Sequence, residues 1–295
     1  MKWLISGGNG QLGRSLSDVL EQRGFEFLSL GVKDLDIRSA FSCSQQIQAF
    51  RAEVVVNTAA WTDVDGAESN PDAAYAVNTT GARNLAAASK AVGAIFAHVS
   101  TDYVFAGTAE KPWAENSLRA PISVYGITKA AGEEAVLSEY AERTYLLRTA
   151  WLYSPCGKNF AKTMTRLALK ESKEVMVVTD QIGQPTSASD LASQIIDSIL
   201  AKLPFGTYHA TNSGQATWFQ FAQEIFDFCG QPIERVIPVN SSAFSRPAKR
   251  PSYSVLSHDA WQSVGAEGIS VSEMRDWRIA LSSAMPSIIS AVQEE

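Results

Sequence analysis

Short runs of β-branched and other apolar residues alternate along this chain with stretches whose apolar positions recur every three or four residues. Lys2–Ser6 (KWLIS) predicts a buried strand that Gly7-Gly8-Asn9-Gly10 breaks. From Gln11 onward Leu12, Leu16, Val19 and Leu20 share one face of a helix. Phe25–Leu30, Glu53–Ala60, Ala94–Ser100 and Thr144–Tyr153 predict four further strands. Helices are predicted near Ser39–Arg51, Ala73–Ala91 and Ile122–Tyr140. Strands that are apolar throughout and alternate with helices belong to an α/β fold, a doubly wound parallel sheet covered on both faces.

Beyond about Pro155 the rhythm loosens. Asn159–Glu171 and Ser189–Leu200 read as helices, Glu174–Thr179 and Gly206–Thr211 as strands, and Asp180–Thr186 as a loop. Ser241–Ser254, rich in Ser, Pro, Arg and Lys, reads as a surface or lid loop. The pattern divides the chain into a larger unit, residues 1–157 with 188–212, and a smaller one interleaved with it, residues 158–187 with 213–295.

Composition narrows the class. The chain has 295 residues, 45% of them hydrophobic and 19% charged, enough to bury a sizeable core. Its net charge of −6 excludes a basic nucleic-acid footprint. No apolar run approaches the roughly 18 residues of a membrane helix. The apolar run before Gly7 is too short for a signal peptide. Cys43, Cys156 and Cys229 are odd in number and far apart, which fits neither a disulfide framework nor a zinc site. These features predict a protein of a reducing compartment, the cytoplasm.

Gly7, Gly10 and Gly13, spaced G-x-x-G-x-x-G, end a predicted strand and open a predicted helix. In that context glycine lets the backbone approach a pyrophosphate, and the helix N-terminus offers free N–H groups. The second strand ends in Gly31 rather than in a carboxylate, with Lys33 close behind, which tilts the reading toward NADPH over NADH. Asp34 or Asp36 stays within reach of the ribose.

Tyr125 and Lys129 stand at i, i+4 on one helix face. A cation beside a phenol lowers its pKa and readies it to pass a proton. Ser100-Thr101-Asp102 ends a central strand upstream, where ligands bind in doubly wound sheets, and a hydroxyl there can polarise the oxygen that Tyr125 protonates.

Together these motifs resemble the extended short-chain dehydrogenase/reductase family, built on a Rossmann sheet. The wording "GGNGQLG", "VNTAAWTDVDGAES", "STDYVFAG", "YGITKAAGE", "LRTAWLYS", "DQIGQPT" and "RPSYSVL" is similar to its dTDP-4-dehydrorhamnose reductase branch from about residue 3 to 256. The resemblance implies NAD(P)H-dependent reduction of the C4 keto group of dTDP-4-dehydro-β-L-rhamnose to dTDP-L-rhamnose. It implies Tyr125 as proton donor, Lys129 on the nicotinamide ribose and Thr101 on the keto oxygen. Gly10, Gln11 and Leu12 match pyrophosphate contacts, Asp36 and Ile37 adenine contacts, and Ala60, Trp61 and Thr62 positions beside the cofactor. Asp102 and Trp151 match sugar contacts. A substrate-binding smaller unit, a homodimer and a role in polysaccharide biosynthesis follow from the same resemblance. Trp61 stands where relatives carry Tyr or His, and Ser154 where Gly is usual.

Related dehydratases carry Asp-Glu after the catalytic Thr, whereas here Asp102-Tyr103 follows Thr101. No obvious base for a C5 proton is left, and plain carbonyl reduction is favoured. Arg250 reads as a diphosphate clamp or as part of a solvated basic loop with Arg246 and Lys249. Trp151 stacks on a sugar or fills core. Asp63, Asp65 and Glu68 read as carboxylates at helix starts. His98 reads as a core histidine, three scattered histidines make no metal site, and Cys156 reads as inert. Two alternatives stay open. One is a reductase of another keto-sugar nucleotide. The other is a non-catalytic NADP-binding regulatory subunit of methionine adenosyltransferase, which some proteins resembling this branch are.

Overall fold

A computed structural model describes residues 1–266 and 271–295. Its strands are β1 (Lys2–Ser6), β2 (Glu26–Leu30), β3 (Val54–Asn57), β4 (Ile95–Thr101), β5 (Thr144–Thr149), β6 (Leu152–Tyr153), β7 (Val175–Val178), β8 (Ile182–Gly183), β9 (Thr186–Ser187), β10 (Gly206–His209), β11 (Asn212–Ser213), β12 (Ala216–Thr217), β13 (Val236–Val239) and β14 (Met274–Asp276). Its helices are α1 (Gln11–Gln22), α2 (Ala40–Phe50), α3 (Val64–Ser69), α4 (Pro71–Tyr75), α5 (Ala82–Val92), α6 (Val124–Tyr140), α7 (Phe160–Lys170), α8 (Ala188–Leu200), α9 (Trp218–Phe228), α10 (Asp259–Ala266) and α11 (Trp277–Gln293).

Six strands form one parallel sheet in the order β10-β5-β4-β3-β1-β2. Alternate residues of each strand serve opposite faces. Trp3, Ile5, Val54 and Val56 pack on Leu12 and Leu16 of α1 and on Leu191 and Ile195 of α8. Leu4, Val55 and Phe96 face Ile47 of α2, Leu85 of α5 and Val136 of α6. This is the doubly wound sheet the pattern predicts. The chain reverses direction across the sheet between β1 and β3, so a crevice opens at their carboxyl ends. A separate core under β7 and β13 gathers Met164 of α7, Phe221 and Ile225 of α9 and Trp277 and Leu281 of α11. No described helix is long and apolar enough to cross a membrane.

Five local expectations change. The third strand stops at Asn57, not Ala60, because the Asn57 side chain accepts from its own chain at Ala59 N (3.1 Å) and turns it out of the ladder. The fifth strand breaks after Thr149. Trp151 takes a left-handed backbone (φ 43°), and Leu152–Tyr153 pairs instead with Thr186–Ser187. The predicted 180–186 loop carries part of β9 by that pairing, and β8, which pairs with β12. The Ala73–Ala91 helix is interrupted by a π turn over Ala76–Gly81. Within the predicted lid, Ser252 O accepts from Ile182 N (2.9 Å), and just beyond it Val255 O accepts from Trp113 N (2.8 Å). The end of that segment is thus laced into its neighbours rather than free.

Candidate active site

A cleft of about 930 Å³ runs along the carboxyl ends of β1, β3, β4 and β5. Its floor at one end is the turn from β1 into α1. Gly7 adopts φ 75°, and a Cβ there would meet Ala59 N at 2.6 Å. At Gly13 a Cβ would strike the Gly7 carbonyl, so α1 and the turn pack with no side chain between them. No side chain caps α1, and its first turn holds no acidic residue. Its leading N–H groups therefore face the cleft with their partial positive charge unanswered. A pyrophosphate fits this cradle on chemistry and on space.

The cleft lining brings together most of the sequence-derived residues: Gly7, Gly10, Gln11, Leu12, Asp36, Ile37, Ala60, Trp61, Thr62, Thr101, Asp102, Tyr125, Lys129 and Trp151. Gly13 sits behind the lining as a packing residue. Arg250 stands just outside that lining, within electrostatic reach of Tyr103, which is part of it. Its Nη1 and Nη2 donate to the Asp65 carboxylate at 3.1 and 2.7 Å, and Nη1 also donates to the Ala248 carbonyl. Asp63 caps α3 through Gly66 N and Asp65 lies in its first turn, the expected helix-start positions, whereas Glu68 sits near the end of α3 and accepts from Val124 N at the start of α6 (2.9 Å).

Ser123 caps α6 by accepting from Gly126 N, which starts the helix so that Tyr125 and Lys129 point at β4. Lys129 is buried and donates from Nζ to the Val99 carbonyl at 2.7 Å. Burial pulls its pKa down to about 8, opposed by Glu133 one turn on. Tyr125 is hydrogen-bonded to Thr101. Burial pushes its phenol up to about 12 against the Thr101 hydrogen bond, and the lowering by Lys129 that the sequence suggested is not among the influences on it. Tyr125 is accordingly a neutral phenol, a proton donor in waiting.

Thr101 donates from Oγ1 to Asp102 Oδ1 at 2.9 Å. Asp102 is buried, its Oδ2 has no partner, and burial raises its carboxyl to about 6 against the pull of Ser254 and Thr101. Thr149, level with Thr101 on the next strand, also presents a buried hydroxyl with no partner to the cleft. Buried polar atoms left unpaired are rare and costly, and two in one cleft mark where a polar ligand makes its contacts. Tyr103 packs edge-on against Tyr125, so a phenol and not a carboxylate occupies the position after Asp102.

Behind the site lies an ion network around the fully buried Glu133, with Arg148 buried and Arg119 partly exposed. Glu133 accepts from Ser100 Oγ (2.6 Å), from Arg148 Nε and Nη2 (2.9 and 2.7 Å) and from Arg119 Nη1 (3.2 Å). His98 is buried against Asn57 Nδ2 (3.0 Å), and burial holds its ring neutral. His209 is likewise held near 3 by burial and by Arg148. Among the described residues no group of His, Cys, Asp and Glu could hold a metal ion.

Several residues in the lining or bracing it carry no sequence signal of their own. Trp218, at the start of α9, stacks on Trp151 with ring centroids 3.5 Å apart and planes 8° apart. Its helix start was readable from the Thr217–Gln220 capping box, but its partner lies across the fold. Asn159 reaches Gln11 Oε1 at 2.9 Å, with the Ser154 hydroxyl 3.1 Å from the same atom. The 154–159 loop is thereby tied to the first turn of α1. Asn78, in the π turn, accepts from Trp61 N (2.8 Å) and donates to the Trp61 carbonyl and to Thr128 Oγ1, joining the β3 end to α6.

Known proteins resemble this chain over nearly its whole length. The dTDP-4-dehydrorhamnose reductase of Streptomyces griseus is 45% identical over 291 residues, covering 97% of this chain and 94% of that protein. The dTDP-4-keto-6-deoxy-D-glucose reductase of Streptomyces niveus is 41% identical, covering 97% and 96%. The dTDP-4-dehydrorhamnose reductase of Bacillus anthracis, solved in complex with NADP, superposes with a TM-score of 0.90 at 38% identity, covering 97% and 98%. The family model described as RmlD substrate binding domain matches residues 1–289, and the chain belongs to that family.

Proposed function

We propose that this protein reduces the C4 keto group of dTDP-4-dehydro-β-L-rhamnose to dTDP-L-rhamnose with NAD(P)H. The observation that carries the reading is the meeting of Thr101, Tyr125 and Lys129 in one cleft with an uncapped α1, in a chain 45% identical to a dTDP-4-dehydrorhamnose reductase. The dinucleotide, when bound, supplies hydride.

The chain's own residues do the rest. Gly7, Gly10, Gln11 and Leu12 receive the pyrophosphate at the helix start, while Asp36 and Ile37 take the adenosine end. Ala60, Trp61 and Thr62 wall the cleft from the β3 end. Lys129 holds the nicotinamide ribose. Tyr125 gives its phenolic proton to the oxygen at C4, and Thr101 orients that oxygen. Asp102 and Trp151 contact the sugar. Arg250 contributes to diphosphate binding through donors that Asp65 leaves unused. Residues 158–187 with 213–295 carry the sugar nucleotide and residues 1–157 with 188–212 the dinucleotide. Tyr103 in place of a carboxylate favours reduction over dehydration.

The test is NADPH and NADH oxidation with dTDP-4-dehydro-L-rhamnose generated in situ, the product identified by mass. Oxidation with dTDP-rhamnose formed is expected. Oxidation only with another keto-sugar nucleotide moves the substrate. Cofactor binding without oxidation of any supports the regulatory-subunit reading. Light scattering decides between monomer and the homodimer we propose from the family.

A further inference from the structure

The residues that follow β2 form the cleft wall at the β2 edge of the sheet. Gly31 is there and brings no carboxylate, and the place its Cβ would take is filled by the amide end of the exposed Asn9 side chain. Lys33 is exposed and does not line the cleft, so the cation expected from the sequence is not the one at this wall. Arg38 is. Its Nε and Nη2 donate to Asp36 Oδ1 and Oδ2, both at 2.8 Å, and its backbone N–H adds a third bond to Oδ1 at 3.0 Å. Asn84 Nδ2 donates to the carbonyls of Ile37 and Arg38, both at 3.0 Å, which pins the backbone while the guanidinium stays half exposed. The Asp36 carboxylate, the natural acceptor for a ribose hydroxyl, is thus spent on Arg38.

We propose that Arg38 reads the 2′ position of the adenosine ribose and sets the choice between the two dinucleotides. This rests on the reading of the cleft as a dinucleotide site. A 2′-phosphate offers the guanidinium another pair of oxygens for a bidentate contact, with more charge than a carboxylate. Arg38 turns from Asp36 to the phosphate when NADP(H) enters. With NAD(H), Asp36 keeps Arg38 and shares an oxygen with the 2′-hydroxyl. One exposed ion pair, worth little by itself, then serves both cofactors.

Calorimetric titration with NADP⁺, NAD⁺ and 2′,5′-ADP tests this without any turnover. In Arg38→Gln, NADP⁺ and 2′,5′-ADP binding should weaken about tenfold or more, while NAD⁺ binding changes little. In Asp36→Asn, NAD⁺ should weaken and NADP⁺ hold or tighten. Lys33→Ala should change none of the three. Equal losses of NADP⁺ and NAD⁺ in Arg38→Gln, unchanged NADP⁺ binding in it, or a selective NADP⁺ loss in Lys33→Ala would each overturn the assignment while leaving the cofactor site standing. Wild-type protein that binds neither dinucleotide would overturn both the assignment and the reading beneath it.

Discussion

The Lys129 ammonium donates to the main-chain carbonyl of Val99 at 2.7 Å, linking α6 to the strand that delivers Thr101. The charge is held on the backbone of β4, two residues short of the hydroxyl it works beside. Activity should therefore depend on that proton. kcat/KM is expected to fall as pH rises through about 8, where the buried ammonium is lost. Stability runs the other way. The folded pKa lies below the ordinary 10.5, so the unfolded chain holds the extra proton between those values and folding gains as pH rises through them. A pH–rate profile beside thermal melts over pH 7–10 checks both, and activity lost together with stability would refute the pairing.

Tyr125→Phe removes the neutral phenol and leaves its volume. Turnover should drop by about 10²–10⁴-fold, the usual yield of a positioned proton donor. NADP⁺ affinity should stay near that of the wild type. Stopped-flow reduction and calorimetry on the same preparation measure the two.

Asp102 carries a buried carboxyl raised to about 6 with one oxygen unpaired. A carboxyl whose folded pKa lies above its unfolded value favours folding only while protonated, and that contribution is lost as pH rises from about 4 through 6. Asp102→Asn keeps the shape and has no such dependence. Its melting temperature relative to the wild type should rise between pH 4 and pH 7, and a flat difference would exclude a buried charge there. Sugar KM should rise in the same variant.

Arg148→Met leaves the buried Glu133 with the Ser100 hydroxyl and, as its one close cation, Arg119 at the longer distance of 3.2 Å. Breaking a buried pair by removing one partner costs about 3–5 kcal/mol. Chemical denaturation should show a loss of that order. The double variant with Glu133→Leu should recover part of it, because no lone charge remains.

The parallel sheet, the glycine turn and the Tyr125–Lys129 face were readable in the sequence because each rests on local spacing. Leu12, Leu16 and Leu20 mark their helix whatever surrounds them. Trp218 was not readable: its role comes from stacking on Trp151, 67 positions away in the chain, and no periodicity records that meeting. The breaks after Asn57 and Thr149 were hidden for a related reason. Apolar runs continue through both, and the turn at the first is enforced by a side chain bonding to its own backbone. Lys33 shows the converse failure. Its position in the sequence suited a phosphate, and its side chain faces solvent instead of the cleft.

The π turn over Ala76–Gly81 can be read as a one-residue insertion kept in place by what it permits. Deleting a residue there would restore an unbroken helix and rotate Asn78 by about 100° relative to the residues after it. Trp61 would lose both of its bonds to that side chain, and the Thr128 hydroxyl, three residues beyond Tyr125, would keep its bond to the Tyr125 carbonyl but lose the amide that donates to it. When relatives are aligned across this stretch, a gap placed within the turn separates chains that brace the cleft wall in this way from chains that must brace it by other means.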